Sequence, residues 1–303
     1  MMSQPLVSYV LISYNQQKYI REAVESALSQ SYDNIEFIIS DDASSDDTVG
    51  IIKGIISKSN RNVRLNVNKN NKGLVGNFNY AISLCSGELI VVAAGDDVSL
   101  LDRVERSVEV FSKHHDVSFL SFNDQKIDEQ GNNISLLYPM CKRDITINFN
   151  DYFLDGVDLL CGASRAFRRD LFDKFGYLNE DCPTEDTPYI VRGFCLGHCY
   201  IFAKPGIRYR WHGSNLSSAS SVANMKINEI SKQYLCDTNK AISLNLISEE
   251  HYQTVKSWAE YKQLTKILSR KKNILMKVMF LIPHIISNKV IRKNILLKVM
   301  GKR

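Results

Sequence analysis

Hydrophobic positions in the first hundred residues switch repeatedly between two periods. LVSYVLI, at 6–12, is a short β-rich run that predicts a buried strand, and Ile20, Ala23, Val24, Ala27 and Leu28 then recur at helical spacing. IEFIIS predicts a second strand. Ser44 or Ser45 is placed to cap the next helix, with Asp46 and Asp47 in its first turn and Val49, Ile52 and Ile56 inside. Val63, Leu65 and Val67 alternate as a strand, Ala81, Leu84 and Cys85 return to helical spacing, and ELIVVAA is a fourth strand. Such alternation with short connections predicts right-handed βαβ units around a parallel sheet. VSFLSF predicts one more strand, the region from Cys141 to Ser214 mixes short apolar runs with Gly and Pro, and the chain becomes mainly helical after Leu216.

In an open parallel sheet the strand-to-helix loops converge outside the carboxyl ends of the strands, where ligands bind. The loops here read SYN (13–15), DDASSDD (41–47), NKNNKG (68–73) and GDD (95–97). They gather an aromatic ring at Tyr14 beside Asn15, a carboxylate at Asp41, a cation at Lys72 and paired carboxylates at Asp96 and Asp97. These are the parts expected for holding a nucleoside diphosphate with Mg²⁺ or Mn²⁺: the ring stacks on a base, Asp41 accepts its N–H, and the last pair offers oxygen ligands. Adjacent like charges at the exit of VVAAGDDV are tolerated where a cation, backbone N–H groups or open water absorbs them. The first loop carries neither GxGxxG nor GxxxxGK[ST], so a dinucleotide site and a P-loop both lack their glycine cradle.

With 303 residues and 44% hydrophobic content, the chain suits one large domain with an appendage or two modest domains. Seven cysteines without a CxxC pair, and a start lacking a secretory signal, point to a reducing, cytoplasmic setting. Cys195, His198 and Cys199 approach a metal spacing, but buried thiols are the favoured reading over zinc. The net charge of +5 is uneven: from Arg270 to Arg303 there are ten Lys or Arg and no acid, which leaves the remainder at −5. No apolar run approaches the ~20 residues needed to span a bilayer. Drawn as a helix, the tail puts Ile274, Leu275, Val278, Leu281 and Ile282 opposite Lys272, Asn273 and Lys277. A basic amphipathic segment of this kind suits an anionic membrane surface, ahead of packing on the domain or a nucleic-acid arm.

The opening PLVSYVLISYNQQKYIREAVESALSQSYDNIEFIISDDASSDDT, the middle NKGLVGNFNYAISLCSGELI and the GDD motif together resemble the family 2 glycosyltransferases of the GT-A fold. The similarity continues more weakly through AFRRDLFDKFGYLNE, TEDTPYIVRGFCLG and YRWHGSNLS, as in bacterial members that build surface polysaccharides, and covers roughly two thirds of the chain. The resemblance implies a nucleotide-sugar half at 1–98, an acceptor half at 99–215 and a helical extension at 216–303. It implies that Tyr14 lies against a uracil or other base, that Asp41 bonds the base edge, and that Asp42 supports the loop. Lys72 would lie near the phosphates, Asp97 would hold the metal, and Asp96 would sit nearer the ribose or sugar. The catalytic base would come from Glu185 and Asp186, with Asp186 preferred, and His212 would lie near the metal or diphosphate. The motif is GDD and not a spaced DxD, so the division of labour between Asp96 and Asp97 stays open. The reaction so implied is inverting transfer of a sugar, from UDP most of all, to a hydroxyl of a glycan or lipid-linked oligosaccharide in O-antigen, capsule or exopolysaccharide assembly, at the inner face of the cell membrane and without nucleic acid.

Each piece alone has a plainer reading. Tyr14 is a packed aromatic, 41–47 a capped turn, Glu185 and Asp186 the acidic first turn of a helix, and His212 a core residue. Asn215, in NLS, matches a glycosylation acceptor that a cytosolic chain never exposes to that machinery. Their joint order favours the enzyme. A phosphohydrolase or receiver-like domain would want an acid after the first strand, where SYN stands. A non-catalytic sugar-nucleotide binder is the competing function, and Asp186 is the discriminator.

Overall fold

The computed structural model describes residues 4–213, 215, 218–270, 288, 290, 292, 293 and 295. The alternation of the first hundred residues folds as β1 (Val7–Ser13), α1 (Ile20–Leu28), β2 (Ile35–Asp41), α2 (Thr48–Ile56), β3 (Val63–Val67), α3 (Gly73–Ser83) and β4 (Leu89–Ala94). These strands pair in parallel in the order β3-β2-β1-β4. The chain winds outward from β1 to β3 and returns on the opposite flank of β1 as β4. The winding direction therefore switches between β1 and β4, and the loops leaving them diverge into a crevice.

The chain continues through β5 (Val98–Ser99), α4 (Arg103–Lys113), β6 (Val117–Phe122), β7 (Gln125–Ile127), β8 (Asn133–Leu136), β9 (Ile145–Ile147) and α5 (Phe149–Phe153). There follow β10 (Ala166–Arg168), α6 (Asp170–Phe175), α7 (Asp186–Leu196), β11 (His198–Phe202), β12 (Ile207–Arg210), α8 (Ala219–Asn224), α9 (Ile227–Ser243) and α10 (Glu249–Arg270). Antiparallel β10 joins β4 to β6, β11 runs parallel to β6, and β9 closes the far edge of an eight-stranded, mainly parallel sheet. A second sheet, β5-β12-β7-β8, begins one residue after the GDD motif.

Both faces of the large sheet are covered. Along β1, Val7, Tyr9 and Leu11 join a core with α1, α2 and α4, whereas Val10 and Ile12 join one with α3 and α7. This explains why LVSYVLI reads as a continuous apolar run and not as an alternation. Ile230, Tyr234, Val255 and Trp258 of α9 and α10 belong to the same core as Val10 and Phe167. The core thus crosses the expected boundary at 215, which marks a change in secondary structure type.

The expected serine cap on α2 is not formed. Asp47 occupies the N-cap without a side-chain cap bond, and α2 begins at Thr48. Ser44 instead donates from Oγ to Asp41 Oδ2 at 2.6 Å and accepts from the Asn15 backbone N–H at 2.8 Å, while the Ser45 N–H bonds Asn15 Oδ1 at 2.8 Å. The serines staple the loops after β1 and β2 together, which fixes one wall of the crevice.

Candidate active site

The crevice is a cavity of about 1010 Å³ whose wall includes Tyr14, Asp42, Asp96, Asp97, Asp186 and His212. Its two chemically distinct ends come from the exit of β4 and the start of α7.

At the β4 exit, Asp97 is almost fully buried and accepts the Arg210 backbone N–H at Oδ1, at 2.9 Å. Burial first, and then the charge of Asp96, push its carboxyl well above the usual range. Asp96 Oδ2 lies 3.0 Å from His212 Nε2. The imidazole stacks on Tyr19 with ring centres 5.1 Å apart, and the Arg210 guanidinium covers the same phenol at 4.9 Å. Arg210, itself buried, donates to the Asp96 carbonyl at 3.0 Å and the Glu129 carbonyl at 3.0 Å, and pairs with Glu22 at 3.1 Å. The result is a rigid wall carrying two neighbouring carboxylates and one imidazole. A buried acid with a like charge beside it and one N–H donor calls for a cation, and this oxygen-rich donor set fits Mg²⁺ or Mn²⁺. Among the described residues no cluster of three such side chains could hold a metal by itself.

At the other end, Glu185 and Asp186 part ways. Glu185 is buried and pairs with buried Arg165 at 2.5 Å; burial raises its carboxyl above the usual range, and the guanidinium opposes that rise. Asp186 is half-buried and accepts at Oδ1 from Thr184 Oγ1 at 2.5 Å and the Thr187 N–H at 2.6 Å. Its Oδ2 lies against Gly162, where an added Cβ would fall 2.2 Å away. Glycine at 162 therefore leaves room for this carboxylate. Both acids border the cavity, and they differ in that Glu185 is buried against Arg165 whereas Asp186 is half-buried with no ion pair among the described residues.

The profile described as "Glycosyl transferase family 2" matches residues 8–176, more than half of the sequence. The chain belongs to glycosyl transferase family 2. Over 131 residues it is 37% identical to the putative glycosyltransferase EpsE of Bacillus subtilis, covering 43% of this chain and 47% of the relative. It is also 37% identical over 131 residues to a chondroitin synthase of Escherichia coli, covering 43% of this chain and 19% of that one. The chain thus spans less than half the length of either relative. Among solved structures it is similar to S. aureus TarS 1-349 in complex with UDP-GlcNAc (TM-score 0.68, 18% identity, 92% of this chain and 80% of that one). It is similar too to the mannosyltransferase PcManGT from Pyrobaculum calidifontis in complex with GDP-Man and Mn²⁺ (TM-score 0.58, 14% identity, 100% and 89% covered). The fold of this family 2 chain is GT-A.

Several expected positions differ in this family 2 chain. Tyr14 is 49% exposed on the cavity wall, available for stacking. Asn15 adopts φ 50°, the left-handed turn that its side chain favours, and staples the serine loop. Of Asp41 and Asp42, it is Asp42 that borders the cavity. Asp41 is fully buried, with Oδ2 accepting from Ser13 and Ser44 Oγ at 2.9 and 2.6 Å and Oδ1 from the Ser44 N–H at 2.8 Å, so it supports the loop. Asp42 borders the cavity and accepts at Oδ1 from Asn68 Nδ2 and the Lys72 N–H, both at 2.8 Å. Lys72 contributes that N–H, but its ammonium lies 5.0 Å from the centre of the Tyr80 ring and not on the cavity wall. The exposed lysine on the wall is Lys18, which lies three residues past the end of the SYN loop and so carried no motif signal.

Arg210, Tyr19, Arg165 and Gly162 were also missed. Arginine in a strand and glycine in a loop carry no signal until the chain ends they meet are known. Gly95 has a packing reason: a Cβ there would meet Gln16 Oε1 at 2.3 Å and Ile20 Cδ1 at 2.8 Å, and no positive φ is involved. Cys195 and Cys199 are buried free thiols. Asn215 is buried, with Nδ2 donating to the Arg210 carbonyl at 3.0 Å and Oδ1 accepting the His212 N–H, so it braces the histidine. The amphipathic segment at 272–282 lies outside the described residues. Among the described residues no helix is long and apolar enough to cross a membrane.

Proposed function

We propose that this glycosyltransferase moves a sugar from a nucleoside-diphosphate donor, a UDP-sugar first, onto a glycan hydroxyl with inversion, using Asp186 as general base. One observation carries the reading: the Asp186 carboxylate at the start of α7, with no ion pair among the described residues, and the Asp96–Asp97–His212 cluster border one cavity at the switch point of the sheet. Tyr14 would stack on the base, with Asp42 at its edge. Asp97, Asp96 and His212 do not make a complete metal site by themselves, so they would share Mg²⁺ or Mn²⁺ with the donor diphosphate, whose departing charge the ion would neutralise. Asp186 would take the proton from the acceptor oxygen as the new bond forms on the opposite face of the sugar, a contribution typically worth ~10²- to 10⁴-fold. Glu185, which also borders the cavity, would brace the loop through Arg165, leaving Asp186 as the acid of the two without a cationic partner among the described residues.

The complexes of TarS with UDP-GlcNAc and of PcManGT with GDP-Man and Mn²⁺ support a nucleotide-sugar donor and a metal. For the acceptor, the reading extends to a lipid-diphosphate-linked oligosaccharide in surface polysaccharide assembly. The basic tail would hold the enzyme to an anionic membrane surface beside that acceptor, which raises its effective concentration. A panel of UDP- and GDP-sugars, read as nucleotide release with and without Mn²⁺, tests the core of this reading. Release with one UDP-sugar, dependent on Mn²⁺ and lost with EDTA, is expected. Release unaffected by EDTA would contradict the metal assignment.

A further inference from the structure

Trp211 is a large aromatic left 39% exposed beside the cavity, where most such side chains are buried. Its place follows from strand register. Tyr209 lies in β12 and borders the cavity. The Trp211 N–H continues the β12–β7 ladder by bonding the Ile127 carbonyl at 2.8 Å, so the two-residue period puts Tyr209 and Trp211 on one face. Lys126 is the partner of Tyr209 across the parallel pair and shares that face. Its ammonium lies 3.6 Å from the centre of a Trp211 ring. Among the described residues that ammonium has no carboxylate partner.

The small sheet therefore extends one cavity wall outward as a strip of ring, ring and cation. Sugar rings present C–H faces that pack on aromatic surfaces, and the ammonium held over one Trp211 ring complements a carboxylate or phosphate group on the glycan. A glycan longer than the reacting sugar must leave the cavity across one of its walls. We propose that Tyr209, Trp211 and Lys126 form an acceptor subsite that takes the sugar next to the reacting one in an acidic glycan. This inference rests on the transfer reading above, and its test separates the two.

The chain has two tryptophans, and Trp258 is 2% exposed, so a change in accessible tryptophan emission reports on Trp211. The full chain would be titrated with three probes: an alternating uronic acid–hexosamine tetrasaccharide, a glycerol-phosphate oligomer and neutral chitotetraose. UDP binding would be measured separately by calorimetry. A saturable emission shift is expected with at least one acidic probe, and which one responds tells carboxylate from phosphate. Lys126→Met should weaken that binding about five-fold, and Trp211→Ala, followed by calorimetry, about ten-fold. Neither variant should change UDP affinity. No shift with any probe, equal binding of chitotetraose, or full affinity in Lys126→Met would overturn the subsite. Failure of the wild type to bind UDP would instead count against the transfer reading.

Discussion

At the scale of single residues, the two adjacent acids at the start of α7 differ in whether a cation neutralises them. Glu185 and Asp186 are equivalent in sequence, and only the buried Arg165 guanidinium, 2.5 Å from Glu185, tells them apart. Removing the Glu185 charge leaves that guanidinium buried without its counter-ion. Glu185→Gln is accordingly expected to lower unfolding free energy by about 3–5 kcal/mol in urea titrations. The same measurement on Asp186→Asn should stay within about 1 kcal/mol of wild type, because that carboxylate is half-exposed and solvated. A reversed order would assign the structural role to Asp186. The pair at Asp41 and Asp42 carries the same lesson. Both stand in the DDASSDD loop, and which one borders the cavity is decided by Ser13 and Ser44, whose hydroxyls both bond Asp41. Residue types were legible in the sequence; their allocation between neighbours was not, because it depends on partners far along the chain.

At the scale of elements, the long strands and helices were readable because burial on both faces imposes apolar runs of strand length and helical periods between them. The second sheet was not. Its strands are two to four residues long, and they exist because β12 finds β5 and β7 across more than eighty residues of chain. Helix α7, which presents Asp186, is held from behind by α9. Buried Arg192 donates to both carboxylate oxygens of buried Asp237 at 2.9 Å, and Gln233 donates to the same acid at 3.0 Å while accepting the Asn179 N–H at 2.8 Å. These bonds tie the segment before α7 to a helix beyond the stretch that the family profile matches. Asp237→Ala is expected to cost about 3–5 kcal/mol by urea unfolding, and replacing Arg192 and Asp237 together with leucines should recover most of it. A double variant as unstable as the single one would show that packing, not the unpaired charge, sets the cost.

For the whole molecule, the two cores, the switch point and the small sheet meet around buried acids. Asp124 is fully buried; Oδ1 accepts the Gly206 and Ile207 N–H groups at 3.3 and 3.1 Å, and the Ser164 and Cys161 side chains lie against the same carboxyl. Burial pushes its carboxyl up to about 6. An unfolded aspartate titrates near ~3.9, so between about pH 4 and pH 6 the folded chain binds the extra proton and its stability falls as pH rises. Below that window both states are protonated, and above it both are charged. Asp124→Asn should lack this slope. The difference in unfolding free energy between wild type and variant should move against the wild type from pH 4 to 6 and level off beyond; a constant difference would show that Asp124 titrates normally. The GDD motif stood out in the sequence by its two adjacent charges, whereas the Arg210 and Tyr19 wall behind it did not.

The claim on which the rest depends is that Asp186 performs chemistry and does not merely shape the donor site. Asp186→Asn tests it when UDP affinity, by calorimetry, and sugar transfer, with the donor selected by nucleotide release, are measured on the same preparation. UDP affinity within two-fold of wild type together with transfer reduced about 10²- to 10⁴-fold is the result expected of a general base. Undiminished transfer, or UDP affinity and transfer lost in equal measure, would contradict the account.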